Sequence, residues 1–479
     1  MPPGAFSRPL ALAMAALAVL ATPPAATETH TPNIVIILVD DMGYGDAGCY
    51  NPGSKIPTPH IDRLAAEGMR FTDAHAPGPL CHMSRYGLLT GEYPFRVRVD
   101  DWRERPLIAE GRTTIASLLK AAGYRTHMVG KWHVGFQEDG YDRPLTGGPV
   151  DRGFDTYFGI RASTDIEPYF YIHDRRAIEA PTAHIAANHS AGWAPVQGAF
   201  WREGGIAPNL DLADVLPRFT EEAIEVIHDA EREQPFLLYL AYPAPHTPWL
   251  PSKEFDGRSG AGMYGDFMMM VDAMIGRVIA ALEAQGLLDN SLLFFTSDNG
   301  PYWLEEDVAR FGHDSSGGLR GMKGDAWEAG HRMPFIARWP GKIAPGSTSG
   351  QMICFTDFMA TFAALTGAAI PHGEGPDSVD FLPILLGEQP EEKPVREEMA
   401  IASGNGTLTL RAGTWKLIDG LGSGGFSKPA KINPEPDGPT GQLYNLEEDP
   451  GETNNLYLAR PEIVETMRAK LPRPNVNRP

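Results

Sequence analysis

The sequence predicts an α/β sandwich built on a large, mostly parallel sheet with helices around it, followed by a small α+β domain. Three observations carry this. Apolar runs of strand length recur, and several end in polar groups: Ile34–Val39 before Asp40-Asp41, Thr126–Val129 before Gly130-Lys131-Trp132-His133, Phe236–Ala241 before Pro245-His246, and Leu292–Thr296 before Ser297-Asp298-Asn299-Gly300. Helical patterns lie between these runs. Near residue 390 the pattern changes to short strands and a loop rich in Gly and Pro. Uninterrupted apolar runs suit strands buried on both faces, and their alternation with helices suits parallel connections.

Thr58-Pro59 opens a helix that buries Ile61, Leu64 and Ala65 and stops at Gly68. Leu88 and Leu89 read as the buried side of a short helix ended by Gly91, which sets Cys81 at or just before its N-terminus. Thr114 caps a helix carrying Ile115, Leu118, Leu119 and Ala122, with Gly123 at its end. Phe267–Leu282 reads as a long amphipathic helix whose Met268-Met269-Met270 run packs in the core, and Thr356–Leu365 as another helix. After a linker around 387–393, Thr407–Arg411, Thr414–Ile418 and Leu443–Asn445 read as short strands, Asp419–Thr440 as a loop and Pro461–Leu471 as a final helix. The expected domains are therefore 27–390 for the large α/β unit and 391–479 for the small one, with no internal repeat.

With 479 residues, 42% of them apolar and 21% charged, the chain is long enough for a large core. It is neither disordered, collagen-like nor a coiled coil. Lys and Arg number 41 against 61 Asp and Glu, a net charge of −20 that argues against a nucleic-acid partner. An anionic substrate would need cations gathered locally. Three cysteines cannot form a disulfide framework. Arg8, the apolar run Leu10–Ala21 and the small residues up to Ala26 read as a secretory signal, too short to span a bilayer. Residues 1–26 are accordingly expected to be a signal peptide, and the mature protein to be exported, periplasmic or secreted, without stable membrane insertion.

Ligands of open α/β sheets bind beyond the carboxyl ends of the strands. Four strand ends here carry Asp40 and Asp41, Lys131 and His133, His246, and Asp298 and Asn299, so these side chains should converge on one cleft. Asp40, Asp41, Asp298 and Asn299 offer only oxygen donors, which favour Ca²⁺ or Mg²⁺ over Zn²⁺. A carboxylate cluster relieved by nearby lysines is the alternative. At a helix N-terminus Cys81 would meet unpaired N–H groups that favour an anionic reactant, with Arg85 one turn on. A buried structural cysteine is the blander reading.

Together these segments resemble the type I sulfatases of the alkaline phosphatase superfamily. The resemblance runs from Pro32-Asn33-Ile34 through Asp41-Met42-Gly43-Tyr44-Gly45-Asp46, Leu88-Leu89-Thr90-Gly91, Gly130-Lys131-Trp132-His133, Pro245-His246-Thr247-Pro248, Thr296-Ser297-Asp298-Asn299-Gly300 and Arg320-Gly321-Met322-Lys323-Gly324. It continues to Leu443-Tyr444-Asn445-Leu446 and Asp449-Pro450-Gly451-Glu452. It implies an alkaline-phosphatase-like fold and hydrolysis of sulfate monoesters, with sulfated carbohydrates as the substrates that export suits. It also implies that Cys81 is oxidised to formylglycine by a formylglycine-generating enzyme, and that the aldehyde hydrate is the nucleophile. Asp40, Asp41, Asp298 and Asn299 would then hold Ca²⁺, or Mg²⁺, with an oxygen of the modified Cys81. Arg85 would hold the formylglycine, and Lys131 and His133 would flank it. His246 and Lys323 would face the sulfate and the leaving oxygen, and Ser163 would contact the sulfate edge. In that scheme one hydroxyl attacks sulfur, His246 or Lys323 protonates the departing alcohol, and His133 deprotonates the second hydroxyl, which expels sulfate.

The segment departs from the family pattern at Met83, where Pro or sometimes Ala is usual. A phosphate or phosphonate ester hydrolase of the same superfamily is the alternative enzyme; such two-metal members carry Asp-His where this chain has Asp298-Asn299, and His rather than Asn ligates zinc. With Cys81 left as a thiol, the chain would be a non-catalytic binder of sulfated glycans. The loops Asp139–Val150 and His173–Gly205 are expected to read the leaving group.

Overall fold

The computed structural model describes Met1, Gly4 and residues 31–472. The expected signal peptide lies outside the described residues but for those first two positions. Seven strands form the body of the main sheet: β1 (Asn33–Asp40), β2 (Met69–His75), β3 (Arg125–Lys131), β4 (Thr156–Ile160), β5 (Phe236–Pro245), β6 (Ser291–Ser297) and β7 (Arg332–Arg338). Their spatial order is β2-β7-β6-β1-β5-β3-β4, extended at both edges by short strands. The run β6-β1-β5-β3-β4 is parallel throughout, and β7 is antiparallel to both β6 and β2. Every residue of β1 is buried, as its unbroken apolar run requires. Each aliphatic side chain so withdrawn from water contributes about 1.5–3 kcal/mol.

Two groups of helices flank this sheet. One consists of α1 (Pro59–Glu67), α4 (Val215–His228) and α5 (Gly262–Ala284), with α5 packed against α1, α4 and β5. The other consists of α2 (Cys81–Thr90), α3 (Ile115–Ala121) and α6 (Phe358–Thr366), which pack on one another. Thr114 starts α3 with a reciprocal cap: its hydroxyl accepts from Ser117 N at 3.1 Å, and Ser117 Oγ accepts from Thr114 N at 2.9 Å. Losing such a cap costs about 1 kcal/mol. Helix α6 begins two residues later than the sequence suggests. Asp357 accepts from Cys354 N at 2.8 Å and tightens Phe355–Asp357 into a 3₁₀ turn.

A separate antiparallel sheet follows, β8 (Glu398–Ala402), β9 (Leu408–Ala412), β10 (Trp415–Ile418) and β11 (Gln442–Asn445) in that order, with α7 (Pro461–Lys470) against β9 and β10. Buried ion pairs fasten it to the main sheet. Glu328 accepts from Arg411 at 2.8 Å and Lys416 at 3.0 Å, Glu452 accepts from Glu328 N at 2.7 Å and pairs with Lys416 at 2.9 Å, and Arg411 reaches Asp73 of β2 at 3.2 Å. Removing one partner of such a buried set leaves an uncompensated charge and costs about 3–5 kcal/mol. No helix among the described residues is long and apolar enough to cross a membrane.

Candidate active site

Strands β6, β1, β5 and β3 are neighbours and run the same way, so their carboxyl ends share one edge. That edge carries Asp298 and Asn299, Asp40 and Asp41, His246, and Lys131 and His133. Close approach of β3 and β5 demands glycine at position 130. Its φ is 116°, and a Cβ there would stand 2.0 Å from the carbonyl oxygen of Ala241. Asp41 and His133 adopt left-handed backbone, φ 65° and 59°. Such conformations cost on the order of 1–3 kcal/mol and persist where surrounding bonds impose them. Here Asp41 N donates to Asp298 Oδ1 at 3.4 Å, Met42 N to Ser297 Oγ at 3.0 Å, and His133 N to Arg161 O at 3.0 Å.

Cys81 is the first residue of α2, where no side chain caps the helix. Its Sγ lies 3.3 Å from Asp40 Oδ1 and 3.4 Å from Lys323 Nζ. One turn on, the fully buried Arg85 donates to Asp298 at 2.9 Å, to Lys131 O at 2.7 Å and to Asp40 at 3.3 Å. Lys131 donates its ammonium to Asp40. Lys323 grips both oxygens of Asp41 at 2.6 and 2.8 Å. Three carboxylates thus alternate with three cations. Burial opposes ionisation of Asp40, but Lys131, then His246 and Arg85, hold it well below the usual carboxylate range. Burial, reinforced by Asp298 and Asp40, pushes the Cys81 thiol well above its ordinary value, so it is a neutral thiol and a poor nucleophile.

A cavity of about 320 Å³ opens over this cluster. Cys81, His133, Ser163, His246, Lys323 and Asp41 line it, whereas Asp40, Arg85, Lys131, Asp298 and Asn299 form the buried layer beneath. Several buried polar atoms have no partner: both ring nitrogens of His133, Nε2 of His82, Oγ of Ser163 and Oδ1 of Asn299. Buried groups are ordinarily hydrogen-bonded, so a concentration of orphans marks a place for ligand. Burial and then the charge of Lys131 press His133 well below its ordinary value, leaving a neutral imidazole. His246 sets Nδ1 2.6 Å from Thr247 O and Nε2 3.6 Å from Asp41.

The donor set fits a hard cation. Asn299 donates Nδ2 to Asp41 at 2.6 Å, which leaves its buried Oδ1 as a free acceptor beside Asp40, Asp41 and Asp298. One donor atom each from Asp40, Asp41, Cys81 and His246 also lies within 4.8 Å of the others.

Sequence reasoning missed the frame and the walls of this site. Asp46 accepts from Gly43 N at 2.6 Å, from His313 at 2.8 Å and from the Tyr264 hydroxyl, and so fixes the turn after Asp41. Only the Gly43-Tyr44-Gly45-Asp46 segment hinted at it. Trp102 and Arg103, from the 3₁₀ turn Val99–Arg103, and Trp249, Tyr302 and Phe426, from three separate loops, line the walls. Of the two loops expected to read the leaving group, 173–205 contributes Val196 and Arg202, and 139–150 contributes no lining residue.

The sulfatase family profile matches residues 32–368. The chain is 35% identical to an N-acetylgalactosamine-6-O-sulfatase of Bacteroides thetaiotaomicron, over 91% of each chain. It is 34% identical to human arylsulfatase A, over 96% of this chain and 89% of that one. A solved structure connected with the metabolism of multiple glycosaminoglycans by Bacteroides thetaiotaomicron superposes with a TM-score of 0.80 at 33% identity, covering 92% of this chain and 98% of its own. With the fold, the convergent strand ends and these relatives in agreement, the chain belongs to the sulfatase family of the alkaline phosphatase superfamily and is a sulfuric ester hydrolase.

Proposed function

We propose that this hydrolase releases sulfate from sulfated carbohydrates outside the cytoplasm, using Cys81 converted to formylglycine and a bound Ca²⁺ or Mg²⁺. The observation that carries this reading is the unpartnered, buried Oδ1 of Asn299 among Asp40, Asp41 and Asp298, next to Cys81 at the head of α2. Oxygen donors of this kind suit a hard cation and not the zinc pair of phosphate ester hydrolases. The relatives that act on N-acetylgalactosamine 6-sulfate and glycosaminoglycans support a sugar as the alcohol. The Arg8 to Ala26 segment supports export, and Ser84 and Arg85 after Cys81 support the action of a formylglycine-generating enzyme during maturation.

Asp40, Asp41, Asp298 and Asn299 would hold the metal, which would supply Lewis-acid charge, and Cys81 converted to formylglycine would supply the two hydroxyls of its hydrate. The chain's own residues do the rest. Arg85 and Lys131 keep Asp40 and Asp298 in register from below the cavity. Lys323, 3.4 Å from Cys81 Sγ, sets a fixed positive charge beside the reacting sulfate. Ser163 Oγ, free of other partners, donates to a sulfate oxygen. His246 keeps its Nδ1 on Thr247 O, so Nε2 is the atom that gives a proton to the departing alcohol. His133, neutral and unpartnered, receives the proton whose loss lets sulfate go.

A panel of sulfated mono- and oligosaccharides, assayed for free sulfate, tests the reading. Turnover of sugar 6-sulfates with Ca²⁺ present supports it; turnover of phosphate esters alone contradicts it.

A further inference from the structure

The cavity wall beside His133 holds a charge that the hydrolysis of a simple sulfate does not use. Three non-histidine cations line the cavity, Lys323, Arg202 and Arg103. Lys323 is committed to Asp41, and Arg202 donates to the Asp165 carboxylate and, at 3.0 Å, to its carbonyl oxygen. The Arg103 side chain has no ion pair or hydrogen bond among the described residues, although Asp100, Asp101 and Glu104 are its sequence neighbours. Asp101 instead takes Arg105 at 3.0 Å. The Arg103 guanidinium lies over the Trp102 ring, 4.9 Å from its centroid. Trp102 in turn meets the His133 ring edge-on at 4.2 Å and stacks near His82 at 6.3 Å. An exposed arginine is thus held one aromatic layer from the reacting centre, and its planar fork remains open for a bidentate anion. Beside it, Nε2 of His82 is buried, unpartnered and part of the same cavity lining.

We propose that Arg103 recognises a second anionic group on the alcohol portion of the substrate, so that the preferred substrate is a sulfated saccharide carrying a further carboxylate or sulfate. This rests on the sulfatase reading and narrows it. A lone sulfate at the reacting centre meets Lys323, His133 and His246 and leaves Arg103 idle. A dianionic saccharide engages Lys323 and Arg103 together, since both line the one cavity. The guanidinium suits carboxylate and sulfate alike, since both present paired oxygens.

The test measures binding rather than turnover. In the Cys81→Ser background, affinities are compared for a monosulfated saccharide, the same unit linked to a uronic acid, and a disulfated saccharide. The dianionic ligands bind more tightly, and Arg103→Gln removes about tenfold of that preference, the scale of one charge-assisted contact, while leaving the monosulfated ligand nearly unchanged. Loss on the uronate alone identifies a carboxylate, and loss on the disulfated ligand alone identifies a second sulfate. Arg98→Gln removes the same charge outside the cavity lining and has no such effect. An equal loss on all three ligands, or an equal loss from Arg98→Gln, reduces Arg103 to a general field effect and overturns the proposal. Turnover of 4-nitrophenyl sulfate by the unsubstituted protein is followed in parallel. Its absence counts against the sulfatase reading; its presence with no Arg103 effect on binding counts against this inference alone.

Discussion

Asn299 gives its amide nitrogen to Asp41 across 2.6 Å and leaves its carbonyl oxygen buried without a partner. That one orientation turns a set of carboxylates into a candidate cation site. EGTA should abolish activity, and Ca²⁺ or Mg²⁺ should restore it. Ca²⁺ should also raise the melting temperature, since a ligand at a hundred times its Kd adds about 2.7 kcal/mol to the folded state. Asn299→Ala should weaken that thermal response. Recovery with Zn²⁺ alone would show the donor set to be misread.

His246 faces the cavity through Nε2. His246→Ala should slow sugar sulfates by about a hundredfold or more, the usual worth of a general acid. The loss should be much smaller on 4-nitrophenyl sulfate, whose leaving group needs no proton. Equal losses on both substrates would reassign His246 to ground-state binding of sulfate.

The loop between β10 and β11 touches the segment that carries Lys323. A Cβ on Gly425 would stand 2.1 Å from the carbonyl carbon of Gly324, and Ala326 N donates to Ser423 O at 2.7 Å. Gly425→Ala should therefore cost about 1–3 kcal/mol of strain and shift Lys323, lowering kcat even where the protein stays folded. Unchanged kinetics in the folded variant would remove this loop from the account of the site.

Glu452 and Glu328 share Lys416 in the buried joint between the sheets. Burial raises Glu452, Lys416 pulls it back and Glu328 raises it again, to about 7 against an ordinary 4.5. The folded state thus binds this proton more tightly than the unfolded state. The resulting stability is complete below pH 4.5 and is lost as the pH rises through about 7. Glu452→Gln should flatten the fall in denaturation midpoint over that window. A fall as steep as that of the unsubstituted protein would place the titration elsewhere.

What the sequence made legible was the part written in contiguous residues. Strands that end in Asp40, Lys131 and Asp298 announce both a buried parallel sheet and the residues at its edge. The pattern Leu88, Leu89, Gly91 placed Cys81 at the start of α2. Position 452 was legible as part of a closing motif, but its purpose as a lock between two sheets appears only when Lys416 and Glu328 meet it. Likewise the sequence offered carboxylates and nearby lysines without their pairing, and only the fold sets Arg85, Lys131 and Lys323 each against a carboxylate. Trp249, Tyr302 and Phe426 were invisible because each sits in an irregular segment, and Trp102 because its 3₁₀ turn, Val99–Arg103, is too short to show a period. Only the tertiary fold gathers them.

The central claim is that Cys81 becomes formylglycine despite Met83. Mass spectrometry of the Cys81 peptide, from protein made in its own host and shown to hydrolyse sulfate esters, tests it directly. The account predicts a peptide about 18 Da lighter than the thiol form, a product distinct from ordinary cysteine oxidation. An active preparation in which every Cys81 remains a thiol would contradict it.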